Sequence, residues 1–157
     1  MTTEIPQKLA SLSDADFQSW IEQTVEQLRA GDFHQIDIDN LVEEIESLGK
    51  RDKRSLLSYL RQLCEHLLKV QYWQSARERS FRGWRLEIRN FRSEIQDILE
   101  DSPSLKNYLK THFSKIYKDG RERFLEDSEL AAVLVPEEPA FTLEQALDES
   151  WLPWKPE

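Results

Sequence analysis

Arg82, Arg85, Arg89 and Arg92 stand three, four and three positions apart, a spacing that lines them along one side of a helix. A guanidinium is planar and permanently charged. It grips carboxylate or phosphate oxygens in pairs, or lies flat on an aromatic ring. At about 100° per residue the stripe runs beside the apolar Phe81, Trp84, Ile88 and Phe91 rather than opposite them. Arg77 and Arg79 come just ahead, in a stretch expected to connect two helices. Such a set suits an anion site for phosphate, a nucleotide or an RNA backbone. It also suits internal pairing with Glu43, Glu44 and Glu46, since the first helices carry about as much acid as the middle carries base. An RNA site would interleave its cations with stacking aromatics. Tyr72, Trp73, Phe81 and Trp84 are at hand, but Phe81 and Trp84 already belong to the apolar stripe.

Other chemistry is thinly represented. A di-iron bundle needs paired Glu-x-x-His motifs, and none occurs. Glu65 and His66 are adjacent, so on a helix they point about 100° apart and cannot share one ion. His66 could join Glu43 or Glu46 in a mixed site, or simply sit half-buried against a carboxylate. His34 and His112 have no partner at ligand spacing, and Cys64 follows the core position Leu63, which reads as a small buried side chain. No Gly-x-Gly-x-x-Gly, Gly-x-x-x-x-Gly-Lys or Gly-x-Ser-x-Gly turn is present. The run Glu43-Glu44-Ile45-Glu46 could supply a general base, although helical charge runs are usually solvated faces. We therefore expect no catalytic residue, metal or cofactor. Near the end, Trp151, Leu152 and Trp154 are costly to leave in water, at about 1.5–3 kcal/mol per large side chain. They are expected to pack back on the helices or to anchor a partner or a second copy.

The 157 residues carry a formal charge of −9, which argues against a general DNA-coating role. That charge is blocked. Residues 1–49 hold two basic and eleven acidic side chains, residues 50–92 twelve and four, and residues 93–157 seven and fifteen. One cysteine cannot form an internal disulfide, which fits a reducing, cytoplasmic setting. Residues 1–13 have no charged start followed by an apolar stretch, and no apolar run approaches the roughly 20 residues of a membrane span.

The elements that must carry these residues are helical. No proline falls between 7 and 102, valine and threonine are few, and period-2 alternation is never sustained. Ser13 and Asp16 resemble a capping box, opening a helix near 14–30 with Phe17, Ile21, Val25 and Leu28 on one face and Gly31 as its stop. Asp37 can cap a second helix near 38–48, carrying Ile38, Leu41, Val42, Ile45 and Leu48, with Gly49 as an end or kink. A third is expected at 50–73 and a fourth at 80–99. Asp101-Ser102-Pro103 opens a fifth that runs to about 131. After the linker Val135-Pro136-Glu137-Glu138-Pro139, Thr142 and Gln145 can cap one short helix. The expectation is an all-α, single-domain bundle over 1–135, with a segment 136–157 docked on it.

Several phrases together resemble a bacterial family common in cyanobacteria, known as domain of unknown function twenty-nine. They are Asp39-Asn40-Leu41-Val42-Glu43-Glu44-Ile45-Glu46-Ser47-Leu48-Gly49, His66-Leu67-Leu68-Lys69 with Tyr72, Asp101-Ser102-Pro103-Ser104-Leu105 with Tyr108-Leu109, Trp84, and Phe141-Thr142-Leu143-Glu144-Gln145-Ala146-Leu147-Asp148. The likeness runs from about Asp16 to Pro153 and implies a small helical fold in an intracellular bacterial protein. It implies no activity, cofactor or catalytic residue. Val70 departs from it, because the family phrase usually continues into tryptophan after the lysine and here the nearest is Trp73.

The residues favour a non-enzymatic interaction module that binds another protein or itself, with charge setting rate and specificity more than affinity. The alternative is a binder of phosphate ligands or nucleic acid through Arg77, Arg79, Arg82, Arg85, Arg89 and Arg92. A metal protein or enzyme built on Glu43, Glu46 and His66 ranks last. No membrane partner is expected.

Overall fold

A computed structural model describes residues 16–157 as an all-α fold with five α-helices and no strand among the described residues. The chain forms two compact units, one ending at Arg51 and the other spanning Asp52–Glu157.

In the first unit, helix α1 (Phe17–Ala30) starts at Asp16, whose side chain accepts from the Ser19 amide at 3.0 Å. Ser13, expected to share in that cap, lies outside the described residues. Gly31 ends the helix in the left-handed region (φ 74°), which a side chain would oppose. A single 3₁₀ turn, Phe33–Gln35, leads to Asp37, which accepts from the Asn40 amide at 3.2 Å and opens α2 (Ile38–Tyr72). Gly49 neither ends nor divides α2, so the two helices expected at 38–48 and 50–73 are one of 35 residues. An interior glycine costs a helix only about 1 kcal/mol, and no proline adds to it. Trp20, Thr24 and Ile36 are buried, while Ile38, Val42, Ile45 and Leu48 stay 53, 47, 58 and 55% exposed.

In the second unit, α2 buries Leu56, Leu60, Leu63, Cys64, Leu67, Leu68 and Val70. Helix α3 (Gln74–Asp101) contributes Ile88, Phe91 and Ile95 to the same core. Only Trp73 separates α2 from α3, so Arg77 and Arg79 lie on the helix and not in a connection. Its indole stacks on Trp84 (5.8 Å between centroids) and meets the edge of Phe124 at 6.4 Å. Helix α4 (Leu105–Ser128) adds Leu109, Ile116, Tyr117 and Phe124. Gly120 lets α4 lie against α2: a Cβ there would stand 2.9 Å from the Arg61 carbonyl oxygen. The helix ends at Glu129, in the left-handed region at φ 58°, and not near 131.

The last segment is held at many points. Val135, Phe141, Leu143 and Ala146 are buried in the core cluster of the helices. Arg121 donates to the Val135 carbonyl at 3.0 Å and to the Ala132 carbonyl at 2.9 Å, and Tyr117 Oη donates to the Pro136 carbonyl at 2.9 Å. Burial pushes the Tyr117 hydroxyl up to about 12. Thr142 and Gln145 form the reciprocal cap of the short α5 (Leu143–Leu147).

Candidate anion-binding cleft

The six arginines singled out by spacing divide into two kinds once their surroundings are known. Arg92, at 5% exposure, is spent on the tail. Its Nε donates to the Ala146 carbonyl at 2.7 Å, and one terminal nitrogen donates to the Trp151 and Gln145 carbonyls at 2.8 and 3.4 Å. Burial lowers its affinity for the proton, and Asp148 and Glu149 partly restore it. Arg77 lies over the Trp154 ring, 4.3 Å from its centroid, and donates to the Gln71 carbonyl at 3.0 Å. Phe81 also meets the Trp154 ring in an edge-to-face contact, with centroids 5.2 Å apart. Both Trp151 and Trp154 are half-buried, and Trp151 packs on Phe141 at 5.9 Å.

Arg79, Arg82, Arg85 and Arg89 are exposed and form no ion pair among the described residues of their unit. Arg85 and Arg89 stand one helical turn apart on α3 and, with Arg92, line a cleft of about 640 Å³. Its apolar wall is Leu86, Ile88 and Leu152, and Ser93 and Ser150 add hydroxyls. The tail supplies Lys155, which donates to the Ser150 carbonyl at 3.2 Å, and one acid, Glu149. Arg79 and Arg82 do not line it. The stripe of four is thus split by the tail, with Arg82 beyond the cleft, Arg85 and Arg89 in its wall, and Arg92 beneath the tail backbone. Lys155, Ser93 and Ser150 were not among the expected residues; Ser93 stands on α3 beside Arg92, and a tail folded onto α3 brings Ser150 and Lys155 to it.

His66, Cys64 and Glu65 lie outside the cleft, buried or half-buried on α2. His66 Nδ1 is 2.8 Å from the Gln62 carbonyl and its ring meets Phe91 edge-on at 5.2 Å; burial lowers its pKa. Cys64 is fully buried, and desolvation drives its thiol well above the usual range. Glu65 is buried beside Asp127, with Lys69 Nζ 3.7 and 3.8 Å from the two carboxylates. Burial first, and second the hydrogen bond that protonated Glu65 donates to the Asp127 carboxylate, raise the Glu65 pKa. No group of three His, Cys, Asp or Glu side chains among the described residues is placed to hold a metal ion. No helix among those residues is long and apolar enough to cross a membrane.

The sequence profile of the family described as domain of unknown function DUF29 matches residues 12–152. The chain belongs to this family. The match takes in α1 through α5 and every residue of the cleft except Lys155, so the family's shared sequence spans both the arginine helix and most of the tail that closes on it. No curated protein and no solved structure matches the chain.

Proposed function

We propose that this protein is a binding module that takes an acidic, partly apolar segment of another protein in the cleft between α3 and the C-terminal tail. The observation that carries this reading is the placing of Arg85 and Arg89, exposed and in no ion pair among the described residues, in one cleft with the buried Arg92, whose own contacts are neutral carbonyls. Positive charge at the cleft is therefore left for a ligand to meet. Charge-assisted bonds to guanidinium are roughly twice as strong as neutral ones, and two forks one turn apart can hold two carboxylates. The wall of Leu86, Ile88 and Leu152 adds an apolar surface that a bare inorganic anion would not use. Glu149 on the rim and a net charge of −9 disfavour a long polyanion such as RNA.

Fluorescence anisotropy with a labelled peptide of alternating glutamate and leucine tests the reading. Binding is expected, with loss of about tenfold in affinity when Arg85 and Arg89 are both changed to alanine, or when the peptide's glutamates become glutamines. Equal binding of the glutamine peptide would defeat it. Binding of inorganic phosphate or an RNA oligonucleotide in place of the peptide would favour the phosphate alternative.

A further inference from the structure

The residues of α3 that line the cleft, Arg85, Leu86, Ile88, Arg89, Arg92 and Ser93, fall within an arc of about 160° around the helix. Beyond either end of the cleft that arc continues over exposed side chains. Toward the start of α3 it takes in Arg82 and, one turn earlier, Glu78. Toward the other end it takes in Gln96 and then Glu100. Neither acid is in an ion pair among the described residues, although Glu78 stands only one turn before Arg82. Glu100 accepts from the Gln96 side-chain amide at 3.2 Å. Along one line of exposed charge, α3 thus presents the acid Glu78, the three arginines 82, 85 and 89, and the acid Glu100.

Volume and rise say what form of chain suits this line. An α-helix is at least about 10 Å across, so over the roughly 12 Å from Arg85 to Ser93 it would fill about 900 Å³. The cleft holds about 640 Å³. An extended chain is thinner and repeats its side chains on one face about every 6.7 Å, close to the roughly 6 Å rise between Arg89 and Arg85. A third alternate side chain, about 13 Å along, comes within the swing of the long Arg82 side chain. An acid placed further on in either direction would meet Glu78 or Glu100, and an unpaired like charge selects against such a ligand. Resting on the reading of the cleft given above, we infer that its occupant is a short extended stretch with acids at three alternate positions. Arg82 grips the outermost acid, and the residues on both sides of the stretch are neutral or basic.

Anisotropy with three labelled peptides tests this. They share a core of three glutamates alternating with leucine and carry two lysines, two glutamines or two glutamates at each end. At low salt the lysine-flanked peptide is expected to bind about fivefold more tightly than the glutamate-flanked one, with the glutamine-flanked one between. Glu78→Gln with Glu100→Gln should bring the three affinities together, and Arg82→Gln should weaken all three about threefold. Glu122→Gln with Glu126→Gln, exposed acids on α4 that change the net charge equally, should leave the spread intact. Three equal affinities in the wild type overturn the inference while the cleft reading stands. So does a spread that the α4 changes abolish as well as the α3 changes do, or an affinity indifferent to Arg82→Gln. If none of the three peptides binds, the cleft reading itself fails and this inference falls with it.

Discussion

Arg92 Nε and the Ala146 carbonyl oxygen are 2.7 Å apart, joined across 54 positions of sequence. With Trp151 taking a second bond at 2.8 Å, one buried cation ties the tail to the middle of α3. Removing it leaves buried acceptors without partners, so Arg92→Met should destabilise the protein by roughly 2–4 kcal/mol, read from denaturant midpoints. Arg92→Lys should recover little, because a single ammonium cannot span both carbonyls. A wild-type midpoint in either variant would show that the tail is held elsewhere.

Gly83 and Gly120 are both interior to helices, and they should respond to alanine in opposite directions. At Gly83 nothing lies within 4 Å of the added carbon, so Gly83→Ala should stabilise by roughly 0.5–1 kcal/mol through helix propensity. At Gly120 the carbon would meet the Arg61 carbonyl oxygen at 2.9 Å and Cys64 Cβ at 3.2 Å. Gly120→Ala should therefore cost about 1–3 kcal/mol, as overpacking does. Thermal unfolding of the two variants side by side checks both signs.

Acid acts on two adjacent residues in opposite senses. His66 has a folded pKa below the ordinary 6.5, so the unfolded chain takes up a proton first, and stability is lost as pH falls through that value. Glu65 has a folded pKa above the ordinary 4.5, so its ionisation weakens the fold as pH rises past that point. Below 6.5 and above 4.5 the two act in opposite directions and partly cancel. Glu65→Gln removes the offset, and its melting temperature should fall more steeply on acidification than that of the wild type. Parallel pH profiles would refute this account.

Arg85 and Arg89 contribute nothing to the core. Changing either to alanine should shift stability by no more than about 0.5 kcal/mol, as at ordinary surface positions. Trp154→Ala, in contrast, removes the ring on which Arg77 and Phe81 rest and should cost roughly 2–4 kcal/mol. A large loss at Arg85 or Arg89 would mean that these side chains are structural and not held open for a ligand.

Helical periodicity made most of the second unit legible. The apolar stripes at Leu56–Val70 and Ile88–Ile95 are buried where their spacing puts them, and Thr142 with Gln145 caps the helix it was expected to cap. The arginine stripe was legible as a stripe, but its division was not. Arg77, Arg92 and Arg121 donate to backbone carbonyls. Every residue carries that acceptor, so no side-chain pattern marks where such a bond will land. The join between the expected second and third helices was misread because a lone glycine stops a helix only when its backbone turns left-handed. Gly31 does this and Gly49 does not. The stripe at Ile38–Leu48 has the periodicity of a core helix, yet Ile38, Val42, Ile45 and Leu48 stay about half exposed, because periodicity marks a face without saying what packs on it.

The passage from α2 to α3 through Trp73 alone makes the length of that connection a fixed quantity. Adding or deleting one residue there would turn every later position of α3 by about 100° about its axis. Arg92 would leave its carbonyls, Ile88 and Ile95 would leave the core, and Arg85 and Arg89 would no longer face the tail. Most helix–helix connections tolerate changes of length, since a slack loop absorbs them. Here there is no slack, and the stacked indoles of Trp73 and Trp84 act as a gauge block that sets the angular phase of the arginine helix.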